Sequence, residues 1–265
     1  MYEKQLSSRL ITPPFITPRA RRYVKDIATV KELAAVPSST IWYDTTAGGC
    51  IGHAAELLGL GHAVPLDRMD YFTTRLMAAQ GGRFEQAWEA TVNHFNALGK
   101  SPRKLTPWDK NQLFQTFTDI CPNKLLWFSF KGNQHPRAGG PSKFTIPQRP
   151  DSKAIEAYAK WYLPRVKTWT PEYCVQKGVH IYHLPMWPLY DFFTELEQID
   201  VSETMSQYFV AARRTITETR LPAILFMDTK SHLLGEALDY GFELTRESRE
   251  QTSRRDVILV RHGEL

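Results

Sequence analysis

The stretch Ile41-Trp-Tyr-Asp-Thr-Thr-Ala-Gly-Gly-Cys50 decides the fold of this chain. Its first three residues, Ile41 to Tyr43, have the composition of a buried strand. Ala47 to Gly49 are small residues that let the backbone turn sharply and approach a ligand closely. Gly52 to Leu60 is then predicted as a helix, and Val64 to Leu66 as the next strand. This order predicts the first half of a doubly wound α/β sheet.

An acid follows each of these two strands. Asp44 precedes the turn, and Asp67 can accept hydrogen bonds from ribose hydroxyls. Because the turn lacks the Gly-x-Gly-x-x-Gly spacing of dinucleotide sites, a nucleoside cofactor without a pyrophosphate, such as S-adenosylmethionine (SAM), fits it better. The predicted cofactor-binding residues are Asp44, Ala47, Gly48, Gly49, Cys50 and Asp67. Two simpler interpretations stay open, namely a turn needed only for packing and Asp67 as a helix N-cap.

Composition limits the class of protein. With 42% hydrophobic residues the 265-residue chain is expected to fold around a real core. It has no run of roughly 18 apolar residues and no apolar signal segment over residues 1–10, so a cytoplasmic or nucleoid-associated protein that is not secreted is expected. Neither the three scattered cysteines nor the eight histidines show a metal-binding spacing. The net charge of +5 is compatible with a nucleic-acid partner.

Further helices and strands alternate along the rest of the chain, which predicts a mostly parallel sheet closed by a hairpin with one antiparallel strand. Helices are predicted over Arg19–Ala35, Tyr71–Ala79, Phe84–Leu98, Asn111–Ile120, Ser152–Leu163, Ser202–Glu218 and Leu233–Tyr240. Strands are predicted over Lys124–Phe130, Val179–Tyr182 and Ala223–Met227, with Phe242–Leu244 and Val257–Val260 as the hairpin.

In their order, these segments resemble the Dam-like family of adenine-specific DNA methyltransferases over nearly the whole chain. The resemblance is carried by Pro14 to Arg21, by Asp44 to Gly49, by Phe128 to Asn133 with the basic loop that follows, and by Ile181 to Trp187. It implies a Rossmann-like class I methyltransferase sheet with a mostly helical DNA-recognition insertion. Residues 1–75 and 150–265 would form the SAM-binding domain, and residues 76–149 the insertion.

The resemblance also implies an activity and site residues. The activity is methyl transfer from SAM to the exocyclic amine of adenine in double-stranded DNA, as in restriction-modification systems. Phe15 would be a further cofactor contact, and Pro185, Trp187 and His183 would lie at the catalytic loop. The residues expected to contact DNA are Lys131, Asn133, Arg137 and Lys143. The simpler interpretations are a core loop anchored by Trp187 and an ordinary solvated loop.

The catalytic loop departs from the family pattern. Where the family has Asp-Pro-Pro-Tyr, this chain has Leu184-Pro-Met-Trp187. Trp187 can stack on a flipped base, whereas Leu184 cannot accept a hydrogen bond from the adenine amine. Three functions therefore stay open: adenine methylation, a module that binds SAM or DNA without methylating, and modification of a different base or nucleic acid.

Overall fold

The computed structural model describes residues 36–128, 149–184, 199–247 and 256–263. The predicted helix Arg19–Ala35 lies outside these residues.

Seven strands in the described part of the chain form one sheet in the order β3-β2-β1-β4-β5-β7-β6. β1 to β5 are parallel, and β7 is antiparallel to both β5 and β6. This sheet confirms the predicted Rossmann-like α/β fold. β7 does not lie at the sheet edge, because β6 pairs outside it. The strands are β1 Ile41–Asp44, β2 His62–Asp67, β3 Lys167–Thr168, β4 Val179–His183, β5 Ala223–Asp228, β6 Glu243–Glu247 and β7 Asp256–Arg261.

Eight α-helices are present in the described ranges, and most begin and end within a few residues of their predicted bounds. They are α1 Cys50–Leu57, α2 Tyr71–Ala79, α3 Arg83–Ala97, α4 Pro107–Ile120, α5 Lys124–Phe128, α6 Ser152–Tyr162, α7 Ser202–Thr217 and α8 Leu233–Asp239. Within the described residues, none of the helices has both the length and the apolar character of a membrane span.

The strand predicted over Lys124–Phe130 is wrong, because the described part of this segment is helix α5. Its Trp127 packs edge-on against Phe114 and Phe117 of α4. A short apolar run does not by itself distinguish a strand from a buried helix.

Alternate residues of the sheet face two hydrophobic clusters. On one face, Trp42 packs with Ile51 and Ala54 of α1. On the other face, Tyr43 belongs to a cluster that contains Tyr208 of α7 and Leu233 of α8. Helices therefore cover both faces, which explains why the central strands are buried along most of their length.

The described chain divides into two compact units. Residues 36–71 and 165–263 contain the sheet, and residues 72–164 contain α3 to α6 and nearly all of α2. The second unit extends beyond the insertion predicted at 76–149 because Phe72 packs edge-on against Tyr158 and Tyr162, with ring centroids 6.0 and 5.0 Å apart. Whether this unit recognises DNA stays a prediction.

A buried arginine links the last strand to the end of α7. Arg261 of β7 donates hydrogen bonds to the carbonyl oxygens of Thr215 and Ile216, both at 2.6 Å, and to that of Leu221 at 3.1 Å. The last carbonyls of a helix have no partner within the helix. The Thr215 carbonyl also accepts the Thr219 hydroxyl at 2.8 Å, so the guanidinium matters most for the carbonyls of Ile216 and Leu221. Burial lowers the pKa of Arg261 to about 10, which leaves the side chain charged at neutral pH.

We expect Arg261→Met to lower the free energy of unfolding by about 2–4 kcal/mol, because it leaves buried carbonyls without donors at nearly constant volume. Arg220→Met, which changes an exposed arginine of the same region, should stay within about 0.5 kcal/mol of the wild type. Urea unfolding of the three proteins measures both differences. Equal stability of the two variants would contradict the assigned role.

Candidate functional site

Three parallel strands end side by side at one edge of the sheet. β1 lies between β2 and β4, with Asp44 aligned to Pro65 on one side and to Ile181 on the other. The chain leaves β1 through α1 towards β2, while β4 lies on the opposite side, so the strand order reverses between β1 and β4. α/β folds bind their ligands in the crevice at such a point. Asp44, Asp67 and His183 are the last residues of these three strands.

The carboxylate of Asp44 is fully buried and holds the turn that follows β1. Its Oδ1 accepts hydrogen bonds from the Thr46 backbone N–H at 2.7 Å and from the Thr46 hydroxyl at 2.6 Å. Its Oδ2 accepts the backbone N–H of Gly52 at 2.6 Å. Gly52 lies in the first turn of α1, where backbone N–H groups lack helical partners. Asp44 therefore positions the turn, and a direct cofactor contact by this residue stays a prediction.

The two glycines of the turn have left-handed backbone conformations, with φ of +76° at Gly48 and +64° at Gly49. A Cβ atom at Gly49 would lie 2.7 Å from the Cβ of Pro65 in β2. The turn thus lies directly against β2, at a distance that only glycine permits. Cys50 begins α1 and is buried.

The end of β2 presents Asp67, which is 6% exposed. Its carbonyl oxygen accepts the backbone N–H of Trp169 at 2.8 Å. Beyond Arg68, Met69 and Asp70 have φ of +56° and +53°, a conformation that costs free energy in residues other than glycine. The chain therefore turns away abruptly after Asp67.

Sequence reasoning missed a polar group on α7 that joins the ends of β1 and β4. The Thr45 hydroxyl donates to the carbonyl oxygen of Ile181 at 2.7 Å and also forms a short hydrogen bond with the Tyr208 hydroxyl. The same Tyr208 oxygen accepts the backbone N–H of His183 at 3.0 Å. Burial raises the pKa of Tyr208, so the phenol stays neutral. Nothing in the sequence marks this tyrosine, because it occupies an ordinary apolar position of an amphipathic helix.

Arg68 adds a cation next to Tyr208. Its guanidinium carbon lies 4.4 Å from the centre of the Tyr208 ring, within the range of a cation–π contact. The contact joins the chain just after β2 to α7 and to the polar group at the ends of β1 and β4. Sequence patterns do not predict this contact, because an arginine that directly follows Asp67 is expected to lie on the surface.

The structure brings six of the predicted site residues to this edge, together with the backbone of a seventh, Ala47, while the remaining seven lie outside the described residues. The six are Asp44, Gly48, Gly49, Cys50, Asp67 and His183. Of Ala47, only the backbone is described. Outside lie Phe15, Lys131, Asn133, Arg137, Lys143, Pro185 and Trp187. In the ranges that the structure covers, no three His, Cys, Asp or Glu side chains are grouped so that they could hold a metal ion.

Comparisons with known proteins give a structural match only. No protein-family model matches the chain, and no curated protein sequence matches it significantly. Seven chains of solved structures match. Among them is the rRNA methyltransferase aviRa from Streptomyces viridochromogenes, with 6% sequence identity and a TM-score of 0.35, covering 91% of this chain and 84% of the other. We therefore base the functional proposal on the strand order and the geometry of the turn.

The buried carboxylate gives a pH dependence. Burial raises the pKa of Asp44 to about 6, although its hydrogen bonds to Gly52 and Thr46 act in the opposite direction. Since the unfolded value is near 3.9, the folded state binds the proton more tightly, and this stabilisation is lost as the pH rises from about 4 to about 6. We expect the wild type to lose up to about 3 kcal/mol relative to Asp44→Asn over that range.

Urea unfolding at pH 4, 5, 6 and 7 measures this difference. His53 and His180, whose pKa values burial lowers to about 4, titrate in both proteins and cancel in the comparison. Parallel pH profiles of the two proteins would show that Asp44 ionises in the folded state as it does in the unfolded chain.

Proposed function

We propose that the protein binds SAM at the carboxyl ends of β1 and β2 and acts as a methyltransferase on a nucleic acid. The observation that carries the proposal is the glycine turn held by Asp44 against Pro65, with Asp67 at the end of the neighbouring strand. A turn, an acid and a reversal of strand order are what a nucleoside site in an α/β sheet requires.

The residues at this edge fit the chemistry of the cofactor. The carboxylate of Asp67 suits a ribose diol, because each oxygen can accept a hydroxyl hydrogen. Gly48 lets a ligand approach the backbone without meeting a Cβ atom, while Gly49 lets the turn lie against Pro65. When bound, SAM would supply a methyl group whose carbon an amine nitrogen can attack, with the positively charged sulfur leaving as a neutral thioether. The chain's own part is to orient the cofactor and the acceptor.

The family resemblance favours the adenine amine in double-stranded DNA as the acceptor, but the end of β4 argues against efficient transfer to it. Leu184 is 3% exposed and packs in the cluster around Tyr208. The hydroxyl of Tyr182 is engaged with Thr215 at 2.9 Å. His183 lies between them in the chain, so strand alternation directs its side chain to the other face. Among residues 181–184, no acid can accept a hydrogen from the amine.

This observation supports a second candidate function, a protein that binds SAM and nucleic acid without methylating adenine. A third, the modification of another base or of RNA, needs the same cofactor site with a different acceptor. Binding of SAM is common to all three candidates, so its measurement comes before that of methyl transfer.

We expect Asp67→Ala to weaken SAM binding by about 10- to 150-fold, because hydrogen bonds to a charged acceptor contribute roughly 1.5–3 kcal/mol. Asp70→Asn removes an exposed negative charge three residues further along and should leave the affinity within about twofold of the wild type. Titration calorimetry with SAM measures all three proteins. Equal affinities for Asp67→Ala and the wild type would remove the cofactor site from this edge.

We also expect adenine methylation by the wild type to be at least about a hundredfold slower than the roughly 10 per second typical of enzymes. An amine left without its acceptor in a desolvated pocket costs about 1–3 kcal/mol, and lost orientation of its lone pair adds to the barrier. The measurement is radiolabelled methyl transfer to duplex DNA of mixed sequence, with Asp67→Ala as the background. A parallel reaction on RNA tests the third candidate. Methylation of adenine at a rate of roughly 10 per second would contradict the inference that Leu184 leaves the amine without an acceptor.

A further inference from the structure

Positive charge is concentrated in the helical unit. Residues 72–164 contain 13 Lys and Arg against 6 Asp and Glu, a net charge of +7. The other 172 residues contain 20 Lys and Arg against 22 Asp and Glu, a net charge of −2. The unit without the sheet thus accounts for the basic character of the chain, and a basic unit attracts polyanions.

An exposed tryptophan follows two of these cations closely in the chain. Trp108, in the first turn of α4, is 68% exposed. Just before it, Arg103 and Lys104 occupy an exposed 3-10 turn. Within the described ranges, neither cation has an ion-pair partner. We call Arg103, Lys104 and Trp108 the Trp108 surface.

The acid nearest to this surface in the sequence is already paired with a lysine. Asp109 is the only acid between residues 90 and 118. It accepts two hydrogen bonds from Lys100, at 2.8 and 2.9 Å, and further ones from the backbone N–H and hydroxyl of Thr106, both at 2.8 Å. The hydrogen bond from Lys100 is the main reason that the pKa of Asp109 lies near 2. The carboxylate therefore does not offset the charges of Arg103 and Lys104.

The surface is also held in place. Leu105, between the cationic turn and α4, is buried. Thr106 caps α4, since the backbone N–H of Asp109 donates to its hydroxyl while the Asp109 carboxylate accepts in return. Further along α4, Phe117 packs edge-on against Phe84 of α3. An aromatic side chain presented on a fixed helix terminus loses little entropy when it binds.

We propose that the Trp108 surface binds a nucleic-acid strand with an unpaired base, which stacks on Trp108 while Arg103 and Lys104 contact its phosphates. Stacking on aromatic rings beside cations is how proteins bind single strands. A protein partner would also use tryptophan and arginine as anchors, but the net charge of +7 on this unit favours a polyanion. The proposal rests on the proposed function in that a nucleic acid is its substrate class.

The experiment measures fluorescence anisotropy with labelled 20-nucleotide single-stranded DNA, single-stranded RNA and duplex DNA. Trp108→Ala should weaken binding of at least one single strand by about 5- to 150-fold, and Trp108→Phe should retain most of the affinity. Val210→Ala, which changes an exposed residue of α7 in the other unit, is the control. The double variant Arg103→Gln with Lys104→Gln should reduce the salt slope for single strands by about 1.4, or about 0.7 per phosphate.

Lys177→Gln with Lys230→Gln removes the same charge from exposed positions of the sheet unit and should leave the salt slope unchanged. Strand affinity that is equal in Trp108→Ala and Val210→Ala would overturn the proposal, as would a wild type that binds none of the three nucleic acids. SAM titration of every variant separates the two proposals. Retained SAM binding with lost strand binding supports the Trp108 surface, whereas a wild type that binds the strand but not SAM contradicts only the proposed function.

Discussion

The hydrogen bonds that Thr46 and Gly52 donate to the carboxylate of Asp44 are the constraint on which the arrangement at the carboxyl ends of β1 and β2 depends. A buried carboxylate is costly unless several donors surround it, and here the donors are Thr46 of the turn and Gly52 of α1. Asp44 thereby fixes where α1 begins. The start of α1 in turn sets which of its residues pack against Trp42 on the same face of the sheet, so one side chain couples the ends of the strands to the core. Changing it alters the turn, the helix and one hydrophobic face together.

Tyr208 has the corresponding role on the other face. Its ring packs against Trp169 and Tyr182, while its hydroxyl reaches the ends of β1 and β4. A phenylalanine at this position would keep most of this packing but leave the Thr45 hydroxyl and the His183 N–H without this partner. The same packing surrounds Leu184, which is why the end of β4 is apolar where an acid would serve an amine acceptor. An apolar residue at the end of β4 improves the packing of this face, whereas a hydrogen-bond acceptor for an amine would need a polar residue at the same position.

Sequence patterns predicted the parts of the structure that local chemistry determines. The glycines, the flanking acid and the apolar strands around Asp44 lie within a few residues of one another, and so the strand, turn and helix follow from their order. Helix α5 was mistaken for a strand because five residues show too little periodicity. The partners of Tyr208 and Arg261 could not be found in this way, since Thr45 is 163 residues from the first and Thr215 is 46 residues from the second. Contacts at such separations depend on the completed fold.

The position of β7 between β5 and β6 imposes an order on how the sheet is completed. β6 precedes β7 in the chain, yet its place in the sheet exists only after β7 has paired with β5. A chain interrupted before residue 256 would keep the apolar edge of β5 uncovered and leave β6 without a partner. Unpaired edges of this kind recruit strands from other molecules. During synthesis, the free edge of β5 therefore persists from the time β5 forms until β7 is made, and in that interval the chain is most open to aggregation or to capture by a chaperone.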